Sequence, residues 1–123
     1  MKIYITHSTS FDYLNELYNP IINSEICDEH EIILPHKNNS SNSKITIKET
    51  DLIIAECSYP STGSGIELGW ADEFGIPIII LSKKGSNISQ SLKIVSSIFI
   101  EYENFKDMIK KIEEEIKVYQ RRS

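Results

Sequence analysis

The chain has 123 residues, 40% of them hydrophobic and 25% charged, with a formal net charge of −5. That composition fits one soluble globular domain over residues 1–123, and it argues against a nucleic-acid surface, which needs an excess of Lys and Arg. No apolar run approaches the roughly 18 residues that span a membrane, and two cysteines without CxxC spacing, Cys27 and Cys57, suggest neither zinc nor a disulfide framework but a reduced, cytoplasmic protein.

The elements follow in chain order. Lys2–Thr6 (KIYIT) is a short β-branched run and reads as a first strand rather than a signal peptide. Phe11–Asn23 carries Leu14, Leu17 and Tyr18 at helical spacing, with Ser10 as its cap and Pro20 placed to end or kink it. Glu31–Leu34 (EIIL) is a second strand, followed by a polar loop, His36–Asn42, and a short helix, Ser43–Thr50. Asp51–Ala55 (DLIIA) and Ile76–Leu81 (IPIIIL) are continuous apolar runs, as expected of strands covered on both faces. Between them Gly65–Phe74 reads as a helix that Gly75 closes. Ile88–Ile94 is a further short helix and Ser97–Glu101 (SIFIE) a fifth strand. Asn104–Arg121 is long and amphipathic, with Phe105, Met108, Ile109, Ile112, Ile116 and Tyr119 on one face.

Strands alternating with helices predict an α/β fold: a three-layer, doubly wound, mostly parallel five-stranded sheet of the Rossmann or flavodoxin type. Ligands of such sheets sit beyond the C-terminal strand ends. Four segments occupy that position: His7–Ser10, Pro35–Ser43, Cys57–Gly65 and Ser82–Ser91.

The segment SYPSTGSG leaves the third strand and enters a helix. Gly63 and Gly65 permit close backbone approach, while Ser61, Thr62 and Ser64 add hydroxyls. The helix N-terminus behind them supplies unpaired N–H groups and a positive dipole end, so a phosphate cradle is plausible here. Neither GxGxxG nor GxxxxGK[ST] is present. Glu67 has two readings. Ser64-Gly65-Ile66-Glu67 fits S-x-x-E, a capping box. Yet Glu67 shares a helical face with Trp70, Ala71 and Phe74, and an ionised carboxylate in the first turn can serve as a nucleophile.

The stretch DLIIAECSYPSTGSGIELGWADEFGIPIIIL resembles the central region of the nucleoside 2-deoxyribosyltransferase family. It is most similar to the branch of 2′-deoxynucleoside 5′-monophosphate N-glycosidases, through P-S-x-G-x-G-x-E-L-G-x-A followed by G-x-P-I. The resemblance implies that Glu67 is a nucleophile toward the anomeric carbon and that Tyr4 orients it. It further implies that Ser8, Ser61 and Gly63 contact the 5′-phosphate, and that Ser91 reaches the phosphate of a neighbouring subunit. Gly65 opens the backbone beside them, and His7 is the nearby basic residue. Substrates would be small nucleotides or nucleosides, without cofactor or metal, in a homodimer or larger assembly with shared sites. The apolar face of Phe105–Tyr119, or Trp70 with Phe74, would supply the contact between subunits. One position departs from the pattern. The branch usually has an Asp eight residues before the D-h-h-h-A-E strand, and this chain has Ser43. Glu49 and His36 are the residues that could stand in for that acid.

Overall fold

The structure is a computed structural model and describes residues 1–37 and 42–122. Five strands form one sheet: β1 (Lys2–His7), β2 (Glu31–Ile33), β3 (Leu52–Glu56), β4 (Ile78–Lys83) and β5 (Ile98–Tyr102). Their order is β2-β1-β3-β4-β5 and every pairing is parallel. This is the doubly wound α/β arrangement expected from the sequence.

Helices cover both faces. A π-helical turn, Leu14–Tyr18, runs into α1 (Asn19–Ile22); then come α2 (Glu25–Glu29), α3 (Ser43–Lys48), α4 (Thr62–Glu73), α5 (Leu92–Val95) and α6 (Phe105–Arg122). Strand alternation divides the core in two. Ile3, Ile5, Leu52, Ile54, Ile79 and Leu81 face α1, α2 and α6, where Leu17, Ile21, Ile26, Met108, Ile112 and Ile116 meet them. Tyr4, Ile53, Ala55, Ile78 and Ile80 face α3 and α4, where Ile47, Leu68 and Ala71 meet them.

Several boundaries differ from the sequence reading, each for a local reason. Ser10 does not cap the first helix, because its N–H and hydroxyl both engage Ser8 Oγ. The helix starts at Leu14 instead, and its π-helical turn immediately precedes Pro20, which has no N–H to give. The sequence reading missed α2, which Ser24 caps by accepting from the Ile26 N–H. Helix α5 covers only Leu92–Val95. Most of the polar loop at His36–Asn42 lies outside the described residues. The face of α6 expected to join subunits is spent inside the chain, with Met108, Ile112 and Ile116 all buried. Gly75 closes α4 as expected, at φ 73°.

Two acidic residues at the ends of β3 hold structure. Asp51 Oδ2 accepts from the Lys2 N–H at 2.8 Å. Glu56 is buried and fully engaged: it accepts from the Ser58 N–H at 2.6 Å, the Ser58 hydroxyl at 3.1 Å and the Tyr102 hydroxyl. Burial, and then the bond to Glu56, push the Tyr102 phenol above its ordinary range. Burial likewise pushes Tyr18 up to about 12.

These buried phenols predict an alkaline limit to stability. Unfolded tyrosines ionise near 10, whereas the folded ones keep their protons to higher pH. Stability is therefore complete below pH ~10 and falls as pH rises above it, because the unfolded chain sheds protons that the fold retains. Urea unfolding at pH 9 and 11 measures this. Tyr102→Phe makes the fall shallower and costs about 1–3 kcal/mol at neutral pH, since Glu56 loses a donor.

Candidate active site

The β1/β3 boundary is the switch point of the sheet, where the chain turns outward in both directions. Above it lies a cleft of about 440 Å³, walled by His7, His36, Ser61, Gly63, Glu67 and Trp70, with Thr9, Ser43, Ser64 and Ile66 completing it. That volume is within the range of small-molecule sites.

Glu67 is the chemical centre. Tyr4 Oη donates to Oε2 at 2.7 Å, and the Thr6 hydroxyl stands 2.8 Å from Oε1. Thr6 also lies 2.9 Å from Ser64 Oγ. A hydroxyl has one proton and an ionised carboxylate only accepts, so Thr6 gives its proton to Glu67 and takes that of Ser64. Tyr4 and Thr6 are two apart on β1 and so point to the same face, the one α4 covers. Burial first, then the bond to Glu67, hold the Tyr4 phenol above its ordinary range, so it stays a donor. The Ser43 hydroxyl interacts with the same phenol from α3. Each Glu67 oxygen retains an acceptor direction toward the cleft.

This geometry corrects the capping reading. The N-cap of α4 is Ser61, whose side chain accepts from the Ser64 N–H at 3.2 Å. The helix begins at Thr62, three residues earlier than expected, so Glu67 stands in its second turn. Ser64 and Glu67 form no capping box; both are bonded to Thr6. Hydroxyl donors from β1, rather than the helix dipole, hold the carboxylate. The glycines need a correction too. Gly63 and Gly65 have no positive φ, and a Cβ at either would meet nothing within 4 Å. Their value lies in the open surface they leave, not in unusual backbone.

The other expected site residues divide. Ser61 and Gly63 line the cleft at the start of α4. The N–H groups of Thr62 and Gly63 have no carbonyl behind them in the helix. His7 lines the cleft, but both its ring nitrogens are occupied. Nδ1 donates to the Ser8 carbonyl at 2.7 Å, so Nε2 accepts from the Tyr18 hydroxyl at 2.6 Å. Burial pushes its pKa below the ordinary imidazole range, leaving it neutral. Ser8 is buried beneath and tied to Ser10. Gly65 and Ser91 line a second cleft, also about 440 Å³, on the α5 side of α4; Ser61 and Ser64 border both. Glu49 is exposed at the end of α3 and does not line the Glu67 cleft. Thr6 escaped the sequence reading, although its spacing of two from Tyr4 could have found it.

The loops around the cleft are braced. Phe11 stacks on Tyr59 with centroids 4.6 Å apart, and Lys83 reaches Glu16 and the Tyr59 hydroxyl. The β1 loop, the β3–α4 loop and the end of β4 are thereby tied together.

Known proteins share this fold. A CMP N-glycosidase of Clostridium botulinum, BcmB, superposes with a TM-score of 0.70 at 25% identity, over 92% of this chain and 99% of that one. The chain is similar to this enzyme over nearly the whole length of both. The 2-deoxyribosyltransferase of Bacillus psychrosaccharolyticus shares the fold at a TM-score of 0.60 and 19% identity, over 88% and 90% of the two chains. A protein of Syntrophotalea carbinolica, provisionally named 2′-deoxynucleoside 5′-phosphate N-hydrolase 1, is 40% identical over 48 residues. That match covers 39% of this chain but only about a third (34%) of the relative's length. No protein-family model matches the chain. Among the described residues no His, Cys, Asp or Glu cluster could hold a metal, and no helix is long and apolar enough to cross a membrane.

The carboxylate clamp predicts a stability signature. Thr6→Val removes a donor from Glu67 and the acceptor of Ser64 in a buried place. The expected cost is about 1–3 kcal/mol, read by chemical denaturation.

Proposed function

We propose that this chain belongs to the nucleoside 2-deoxyribosyltransferase family and hydrolyses the base–sugar bond of nucleoside 5′-monophosphates, with Glu67 as nucleophile. One observation carries the reading: the Glu67 carboxylate is held by two β1 hydroxyls, at 2.7 and 2.8 Å, and still faces an open cleft at the start of a helix. A Glu67 oxygen attacks the anomeric carbon and displaces the base, giving a glycosyl ester that water opens with net retention. Tyr4 and Thr6 fix the rotamer of the attacking group, so the sugar meets a preset nucleophile. The 5′-phosphate sits at the N-terminus of α4, between Ser61, Gly63 and the unpaired N–H groups there. The negative charge of the whole chain does not oppose this, since the cradle uses backbone dipoles.

Assembly is part of the proposal. Ser91 lines the second cleft and not the Glu67 cleft, which fits a role toward the phosphate of another copy of the chain. With Met108, Ile112 and Ile116 of α6 buried, Ile94 on α5 and Phe99 on β5 are among the exposed apolar residues that could make the contact. Light scattering is expected to give a dimer or larger homo-oligomer.

The main test is a panel of deoxyribo- and ribonucleoside monophosphates, with released base separated by chromatography. Wild type is expected to release base and Glu67→Gln to lose about 10³-fold or more. No release from any nucleotide or nucleoside refutes hydrolysis, and base exchange between nucleosides outrunning release makes the protein a transferase. Gly63→Ala separates cradle from fold. It is expected to raise KM for the monophosphate about tenfold, a loss of ~1.4 kcal/mol. The alanine leaves thermal stability unchanged or higher, because it suits a helix better than glycine.

A further inference from the structure

Displacing a nucleobase leaves its nitrogen with an extra electron pair, and at neutral pH that departure needs a proton. This requirement rests on the proposed N-glycosidase reading. The cleft offers few sources. Glu67 is the nucleophile. Tyr4 gives its proton to Glu67 and is held above the ordinary phenol range. His7 is neutral and spends its one N–H on the Ser8 carbonyl. Ser43 carries only a hydroxyl, which is no acid at this pH. Lys44 stacks its ammonium over Trp70, 5.7 Å from the ring centroid, and does not line the cleft.

The geometry points to His36 as the group that protonates the leaving base. It lines the same cleft as Glu67, from the loop after β2. Its position is fixed rather than incidental. The His36 N–H donates to Tyr18 Oη at 3.2 Å, and the Lys37 N–H closes the turn on the Leu34 carbonyl at 3.0 Å. The ring packs against His7 at 5.2 Å and Tyr13 at 5.5 Å between centroids. Among the described residues its ring nitrogens make no hydrogen bond, so both remain available to a ligand. The titratable groups around it are Glu67 from α4, neutral His7 from β1, Tyr13 and Tyr18 from the first helical segment, and Lys37 beside it.

The step balances. The Glu67 oxygen forms a bond to the anomeric carbon as the carbon–nitrogen bond breaks, its electron pair leaving with the base. The His36 imidazolium gives the base a proton and becomes neutral. It then takes a proton from the water that attacks the anomeric carbon. The glycosyl–oxygen bond breaks, its pair returns to Glu67, and sugar phosphate departs.

The experiment compares two substrates: the nucleoside monophosphate cleaved fastest, and 7-methyl-2′-deoxyguanosine 5′-monophosphate. The methylated base is already cationic and leaves neutral, so it needs no proton. Base release is followed in a single turnover with enzyme in excess, which excludes the water step that both substrates share. His36→Gln is expected to slow it about 10²–10⁴-fold on the ordinary nucleotide. On the methylated one the loss shrinks to a few-fold. Equal losses on both substrates overturn the assignment while leaving Glu67 chemistry intact. Glu67→Gln loses both substrates. Wild type releasing base from neither overturns the assignment together with the N-glycosidase reading. His36 is exposed, so the variant is expected to melt like wild type, and a circular-dichroism melt checks that.

Discussion

The site depends on one contact between a strand and a helix. Two hydroxyls of β1, on Tyr4 and Thr6, grip the two oxygens of a carboxylate presented by α4. Charge-assisted bonds of this kind are roughly twice as strong as neutral ones. They also register the helix against the sheet, because Tyr4 is itself part of the core cluster that Leu68 and Ala71 complete. The Glu67 carboxylate is therefore not a side chain added to a finished fold. Its orientation and the packing of α4 are the same fact.

Glu56 and Glu67 show how surroundings give two carboxylates different roles. Glu56, at the end of β3, is buried and takes three donors, from Ser58 twice and Tyr102 once. It has little capacity left and serves to pin the β3 exit to β5. Glu67 takes one donor on each oxygen and keeps part of its surface open. Full satisfaction makes a structural carboxylate; partial satisfaction beside a cleft leaves the capacity that the proposed nucleophile needs. The same contrast separates the histidines. His7 is closed off by Ser8 and Tyr18, while His36 presents its ring to the cleft.

The region at the start of α4 also does two things at once. The Ser61 side chain caps the helix through the Ser64 N–H, yet its hydroxyl proton remains free to donate. Gly63 keeps the surface above the first N–H groups bare. Capping and the proposed anion binding would use different atoms of the same residues, so the sequence pattern alone could not choose between them.

The sequence determined the architecture by itself, because hydrophobic period is a local signal. The continuous runs at β3 and β4 required cover on both faces, and the alternation with helices required parallel pairing. It also singled out Tyr4, Ser61, Gly63 and Glu67, through a spacing whose resemblance to known enzymes is specific. Helix starts were less legible. S-x-x-E at Ser64 and the hydroxyl at Ser61 both qualify as caps, and only the packing of Ser64 against Thr6 removes the first. Tertiary structure alone decided which nitrogen of His7 is occupied, that Ser91 and Gly65 face a different cleft, and that His36 faces this one. The His7–Tyr18 bond joins residues 11 positions apart, and the Tyr4–Glu67 bond residues 63 apart. No local pattern encodes such distances; they are set when the strands pair and the helices settle against them.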